Sequence, residues 1–388
     1  KTPTRGPALR DEGSEGSVTF LRCWAGSPHR LSGELASGCK IKRTRCYISH
    51  TPVSNVLIEA SEEGLRLTTT DLDVGVSGTA QAEVSKTGAT TLPVKRLVNI
   101  IRELPSAEIE VSVDGKNVAS IKSGPSFFKI IGLPDGEFPP LAGFSEAKEY
   151  KIPQAIFRNA LKKTSYAIST DETRYVLNGI FSSFKEGKLT LVATDGRRLA
   201  MVDHELEFPS SHETDFIIPS KAVQELQRLL GTEGDMILKL SDNQVCFEIG
   251  SSIIVSKLIE GNYPNYRQVI PGDSKERLTL SREQLLETTR RVSLLSSEKS
   301  NSVKLTFGPN QVDVMANSPD IGEANESLDV KYEGKEFSIA FNPEFLMAPL
   351  KSLEEDEVHL DLIDEMSPGV LRTEDAFLYV LMPMRVTS

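Results

Sequence analysis

Apolar and polar positions alternate in three blocks along the chain, and the blocks match one another. Asn55–Val76 reads NVLIEASEEGLRLTTTDLDVGV, Asn178–Val202 reads NGIFSSFKEGKLTLVATDGRRLAMV, and Val303–Leu328 reads VKLTFGPNQVDVMANSPDIGEANESL. Each predicts an apolar strand, a short turn, a second alternating strand ending near an Asp, and a third strand. A second pattern follows each block: TTLPVKRLVNIIREL from Thr90, DFIIPSKAVQELQRLL from Asp215 and FSIAFNPEFLMAPLKSL from Phe337. There the period changes from two residues to 3.6, predicting a strand and then an amphipathic helix. The repeat recurs about every 120 residues, well above the period of about 20–50 of solenoids and propellers. Three whole domains of one fold are therefore expected in tandem. That arrangement favours encirclement or scaffolding over catalysis.

The helix signals are explicit. Pro93, Pro153, Pro219 and Pro343 are expected near first helical turns, where a missing N–H costs nothing. From Pro153, residues Ile156, Phe157, Ala160, Leu161, Thr164 and Ile168 form one stripe, with Arg158, Lys162 and Lys163 opposite. From Leu280, residues Leu285, Leu286, Thr289 and Val292 face inward, and Arg282, Arg290 and Arg291 lie among polar neighbours. Each domain then reads as two strand–helix–strand–strand–strand units, an α+β fold of two helices on small antiparallel sheets. The Pro/Gly-rich segments GLPDGEFPPL and GNYPNYRQVIPGD mark the joints. Domains are placed at 51–145, 146–272 and 273–388.

Residues 1–50 do not share the pattern. They hold three of the four Cys, the only Trp and a charge of +5, leaving −16 for the rest of a chain whose total is −11. The second and third domains each open with a strand and helix, EYKIPQAIFRNALKKTSYAI and RLTLSREQLLETTRRVSLL; the first shows no counterpart before Asn55. Two readings stand: an out-of-frame translation that rejoins the true frame near Thr51, or a disordered extension. The first domain is accordingly expected to be incomplete. No function is placed on this segment, which lacks the apolar core of a signal peptide.

Composition adds mainly exclusions. Hydrophobic content of 39% with 26% charge is that of an ordinary globular protein, with no run of about 18 apolar residues. Cys23, Cys39 and Cys46 are too widely spaced for paired zinc ligands, and a reducing compartment is expected. The chain carries no GxxxxGK[ST], HExxH, GxSxG or CxxC, and its five His are scattered. No catalytic residue, cofactor or metal is expected.

Four long, ordered segments carry a resemblance: Arg174–Gly179 (RYVLNG), Leu191–Ala200 (LVATDGRRLA), Ser256–Pro271 (SKLIEGNYPNYRQVIP) and Tyr379–Arg385 (YVLMPMR). They resemble the bacterial DNA polymerase III beta subunit family, the sliding clamps, over roughly Thr51 to Arg385. The resemblance implies a head-to-tail homodimer, six similar domains closing a helix-lined ring around duplex DNA, in the bacterial cytoplasm at the nucleoid. A sliding tether needs phosphate-scale attraction without sequence readout. The DNA-facing set it implies is Lys95, Arg96, Arg158, Lys162, Lys163, Lys221, Arg228, Arg282, Arg290 and Arg291, with Arg174 and Tyr175 in the loop STDETRYV. Read without the repeat, the same charges are solvated helix faces.

The resemblance also implies a pocket between the second and third domains that takes peptides from polymerase and other replication and repair factors. Its lining would be Leu177, Thr194, Gly196, Arg197, Arg198, Leu199, Pro264, Val269, Val380, Leu381, Met382, Pro383, Met384 and Arg385, with Pro368 across an alignment gap. Met adapts to several partners and Gly196 admits a close backbone, although Met382 and Met384 also fit a core strand. Ring closure would pair Phe128 and Ile130 with Leu294 and Leu295, and Glu323 and Glu326 with Lys95 and Arg96. With no nucleotide site, the ring would need an ATP-driven loader. The alternative is a degenerate or decoy clamp that binds replication peptides without encircling DNA.

Overall fold

The structure is a computed structural model. It describes residues 18–21, 55–104, 108–141, 143–144, 147–272, 276–296 and 301–384. The chain divides into two compact units, Lys1–Gly143 with Gly250–Val255, and Phe144–Ile249 with Ser256–Ser388.

The first unit holds strands β1 (Val18–Leu21), β2 (Asn55–Ser61), β3 (Gly64–Thr70), β4 (Val74–Ala80), β5 (Glu83–Val84) and β6 (Gly88–Pro93). Helix α1 (Val94–Glu103) follows, then β7 (Glu110–Val113), β8 (Val118–Ser123) and β9 (Ser126–Ile131). One antiparallel sheet runs β5-β1-β7-β8-β9, and β4-β3-β2-β6 are consecutive neighbours in another. Val56, Ile58, Leu92, Val94, Leu97, Ala119 and Ile121 make the core between them.

The second unit contains β10 (Lys148–Pro153), α2 (Gln154–Thr164), β11 (Gly179–Lys185), β12 (Lys188–Thr194), β13 (Arg198–Glu205), β14 (Thr214–Pro219) and α3 (Ser220–Leu229). β15 (Asp235–Leu240), β16 (Gln244–Ile249) and β17 (Ser252–Lys257) come next in the chain. The remaining elements are β18 (Glu276–Ser281), α4 (Arg282–Val292), β19 (Val303–Gly308), β20 (Gln311–Ser318), β21 (Gly322–Asp329), β22 (Phe337–Phe341), α5 (Pro343–Ser352), β23 (Glu357–Leu362), β24 (Gly369–Arg372) and β25 (Phe377–Leu381).

The period-2 patterns become strands and the 3.6-period patterns become helices, as apolar faces require. Pro93, Pro153 and Pro219 occupy N-cap positions one residue outside their helices, whereas Pro343 lies in the first turn of α5. On α2 the buried stripe is Phe157, Ala160, Leu161, Lys163 and Thr164. The helix ends at Thr164, and Ser165–Ala167 continue as a 3-10 turn, so the expected stripe stops before Ile168.

Strand pairing brings out the repeat. β10 pairs with β15 and β18 with β23, each an opening strand against the strand that follows the domain's second helix. β1 pairs with β7 in the same role, with Val18 opposite Val113. The first domain therefore has the opening strand that the sequence reading denied it. At Val18–Leu21 four residues lacking visible periodicity gain strand geometry from neighbours on both sides. The helix expected after it falls outside the described residues.

The eight-stranded sheet β14-β11-β12-β13-β25-β24-β23-β18 joins half of the central domain to half of the C-terminal one. Its seam is the antiparallel pair β13–β25, from Arg198 opposite Leu381 to Val202 opposite Phe377. The sheet β21-β20-β19-β22 completes the C-terminal domain.

Candidate functional site

The seam β13–β25 gathers most of the residues expected to line a pocket. Side chains alternate along both strands, so Leu199 and Met201 share one face with Leu378 and Val380, while Arg198 and Tyr379 lie on the other. Val192, Leu199, Val370, Leu378 and Val380 form a buried apolar floor, covered in part by Phe181, Met201, Tyr263, Tyr266 and Ile270. Tyr263, Tyr266 and Ile270 come from the linker GNYPNYRQVIPGD, and Phe181 from β11. The Tyr263 ring stacks on Phe181 with centroids 5.0 Å apart, and burial pushes its phenol well above the ordinary tyrosine range. Val269, 41% exposed, and exposed Pro264 leave this floor open at one side.

The β12–β13 turn forms one wall. The Asp195 carboxylate accepts from the Arg197 and Arg198 amides at 2.9 and 3.1 Å. The Gly196 amide donates to Thr194 Oγ1 at 3.1 Å, and that hydroxyl donates to the Arg198 carbonyl at 2.6 Å. Gly196 sits at φ +85°, a conformation that glycine adopts freely. The opposite wall is the C-terminal tail. The Met382 amide donates to the Arg197 carbonyl at 3.1 Å and the Met384 amide to the Ala340 carbonyl at 2.7 Å. Met382, Pro383 and Met384 are all half-buried, an adaptable apolar rim rather than a core strand. Leu177, Leu199, Val380 and Leu381 are buried, Thr194 and Pro368 half-buried and Arg197 exposed, while Arg385 falls outside the described residues.

Three of the expected residues have partners of their own within the chain. The Arg198 side chain points away from the floor. Its guanidinium pairs with Asp195 at 3.1 Å and lies 4.3 Å from the Phe345 ring centroid, because strand alternation places it opposite Leu199. Arg174, expected to face DNA, hydrogen-bonds the Asp195 carbonyl at 3.4 Å and lies within 4.0 Å of Asp171. A Cβ on Gly196 would sit 2.8 Å from its Nη1. Tyr175 is 58% exposed beside Gly261. Lys163 is buried at 4% exposure and pairs with Glu355 at 2.7 Å, which excludes it from a DNA-facing surface.

The remaining basic residues divide in two. Lys95, Arg96, Arg158, Lys221, Arg228 and Arg290 are exposed, Arg228 pairing with Glu225 and Arg290 with Glu287 within their own helices. Others are engaged elsewhere: Lys162 with Glu354 at 2.7 Å, Arg282 with the Glu355 and Leu350 carbonyls, and Arg291 with Glu326 at 3.0 Å. Glu326 is thereby held below the ordinary carboxylate range by Arg291. Of the residues expected at ring closure, Phe128 on β9 and Leu294 are exposed, and so is Glu323. Leu295 is half-buried against β21, whereas Ile130 packs into the first unit's core.

The composition of the floor was partly missed. Phe181, Met201, Tyr263, Tyr266 and Ile270 were not singled out, although the two tyrosines flank the PN of the linker and announce a packed joint.

Tandem α+β domains with an apolar floor at the seam between two of them define a clamp-type architecture. Family models for the DNA polymerase III beta subunit match the N-terminal domain at residues 34–142, the central domain at 151–265 and the C-terminal domain at 267–385. The chain belongs to this family, and the likeness begins at residue 34 rather than near Thr51. It is 35% identical over 339 residues to the beta sliding clamp of Chlamydia muridarum, covering 87% of this chain and 93% of that one. With the beta sliding clamp of Escherichia coli K12 it shares 34% identity over 342 residues, 86% of this chain and 92% of that one. Among solved structures, a Bartonella birtlesii sliding clamp bound to griselimycin superposes with TM-score 0.82 at 37% identity, covering 86% of this chain and 91% of that one. The Bacillus subtilis clamp does so with TM-score 0.84 at 26% identity, over 96% and 100%.

Proposed function

We propose that two copies of this chain close head to tail around duplex DNA and tether a replicative polymerase through the pocket at Gly196 and Met382. The pairing inside the chain carries this reading. The last strand of the central domain's first half, β13, is paired with the last strand of the C-terminal domain, β25. Among the repeat equivalents of these two strands, β4 and β17 are likewise neighbours, while β21 and β9 each have a neighbour on one side only among the described residues. An unpaired β21 edge and an unpaired β9 edge on one chain are complementary between two chains, a head-to-tail contact that makes a ring when its rotation closes. Exposed Phe127, Phe128 and Ile131 on β9, and exposed Leu294 beside β21, supply apolar surface for that contact.

DNA would be held by topology and by general attraction to Lys95, Arg96, Arg158, Lys221, Arg228 and Arg290. Such contacts carry no sequence information, as sliding requires. We read the chain as a non-catalytic processivity subunit, opened on DNA by an ATP-driven loader and shared by other factors bearing pocket-binding peptides. The decoy alternative rested on a first domain without its opening strand and helix, of which β1 supplies the strand.

The test is retention on nicked circular DNA after loading. The chain should stay on circles and run off once they are linearised. Equal, salt-sensitive loss from circles and lines would sink the reading, because a surface binder dissociates from both alike.

A further inference from the structure

On the face of the eight-stranded sheet opposite the pocket floor, α2 of the central domain meets the C-terminal domain through charge. Lys163 Nζ lies 2.7 Å from Glu355 and 3.7 Å from Asp375, with only 5% of its side chain exposed. It also lies 5.9 Å from the Phe377 ring centroid. Its neighbour Lys162 pairs with Glu354 at 2.7 Å. Glu354 and Glu355 follow α5, while Asp375 belongs to the turn that delivers β25. That turn is pinned to β13 by the Asp203 amide, which donates to the Ala376 carbonyl at 3.0 Å. Arg282 of α4 holds the same post-α5 segment through the Glu355 and Leu350 carbonyls, at 2.7 and 3.1 Å.

We propose that Lys163 is a positioning residue for peptide docking. It ties α2 to Glu355 and Asp375, and so fixes the placement of β25 against β13, whose opposite face forms the pocket floor. The inference rests on the pocket reading above.

The charge balance explains why the tie is specific. Burial pushes the Glu355 carboxyl up, and the Lys163 ammonium with two backbone N–H donors more than offsets it, leaving it ionised below its ordinary range. Without Lys163, Glu355 and Asp375 would lose the cation between them. An uncompensated, partly buried carboxylate relieves itself by moving toward water. The segment that moves is joined to β25, whose Leu378 and Val380 are floor residues. A binding site loosened through its supporting residues loses affinity although every contacting side chain remains.

The test is calorimetric titration of the full-length chain with griselimycin. K163M should weaken binding about tenfold, within the about 5–150-fold range of energetic coupling between sites. K163R, which keeps the charge, should stay within about twofold of wild type on the same scale. V314A, in buried β20 of the sheet β21-β20-β19-β22, lowers stability away from the seam and should bind as wild type. Wild-type affinity in K163M, or an equal loss in V314A, overturns the positioning role. A wild-type chain that takes up no griselimycin overturns the pocket reading, and the positioning role with it.

Discussion

Replacing Gly196 with alanine tests the wall of the pocket directly. At φ +85° an L-residue is strained by about 1–2 kcal/mol. The alanine's restricted unfolded chain returns about 0.4–1 kcal/mol, for a net loss near 1 kcal/mol. In a unit of this size that lowers Tm by about 2–4 °C. The first unit shows that such a turn tolerates a side chain. Leu72 holds φ +74° between β3 and β4, its amide 3.1 Å from Thr70 Oγ1, with Asp71 accepting from the Asp73 and Val74 amides at 3.1 and 2.7 Å. What differs at Gly196 is its surroundings. The new Cβ would sit 2.8 Å from Arg174 Nη1, closer than real Cβ contacts, so the guanidinium must shift along the rim where a peptide passes. Griselimycin affinity should fall about tenfold, or ~1.4 kcal/mol, measured by calorimetry alongside a thermal melt. Unchanged affinity would refute the argument that Gly196 admits the ligand backbone. A Tm drop far beyond the stated range would show that the turn, not the pocket, depends on it.

Asp361 is buried between Arg277, at 2.6 Å, and Arg372, at 3.1 Å. D361N should cost about 2–3 kcal/mol in urea unfolding, as charge-assisted hydrogen bonds do. Burial raises the Asp361 pKa and the two arginines more than offset this, holding it below 3.8. Its contribution is therefore present above about pH 4 and is lost as pH falls through the depressed folded value; denaturant midpoints measured from pH 6 to pH 2 in both proteins should converge at the acid end. F128D together with L294D should convert the dimer to a monomer of 42.6 kDa in analytical ultracentrifugation, because each charge would be buried unpaired at the proposed edge contact; a persistent dimer would exclude that contact. Y379F removes the hydroxyl that donates to the Phe345 carbonyl at 2.8 Å, and should cost about 1 kcal/mol in the same urea assay without altering β13–β25 pairing.

Much of the architecture was legible in the chain because periodicity is local. The blocks at Asn55, Asn178 and Val303 became matching strand sets, and the patterns after them became α1, α3 and α5. Thr194, Gly196, Leu199, Val380 and Met382, named through the resemblance, lie together at the β13–β25 seam. Partnerships across the seam were not legible. Lys162 and Lys163 read as one polar helix face, yet Glu354, Glu355 and Asp375, nearly 200 residues later, bury one and pair both. Strand β1 was invisible for a related reason: VTFL is too short to show a period, and only β5 and β7 on either side make it a strand.

The order of hydrophobic and polar residues by itself determined most of the helix and strand segments and how often the fold repeats. Those properties depend on residues a few positions apart. Tertiary structure alone decided which way Arg198 points, which cations stay exposed, and which strand edges stay open among the described residues. Charge pairing and edge pairing depend on residues brought together across long separations, and no local pattern records that distance.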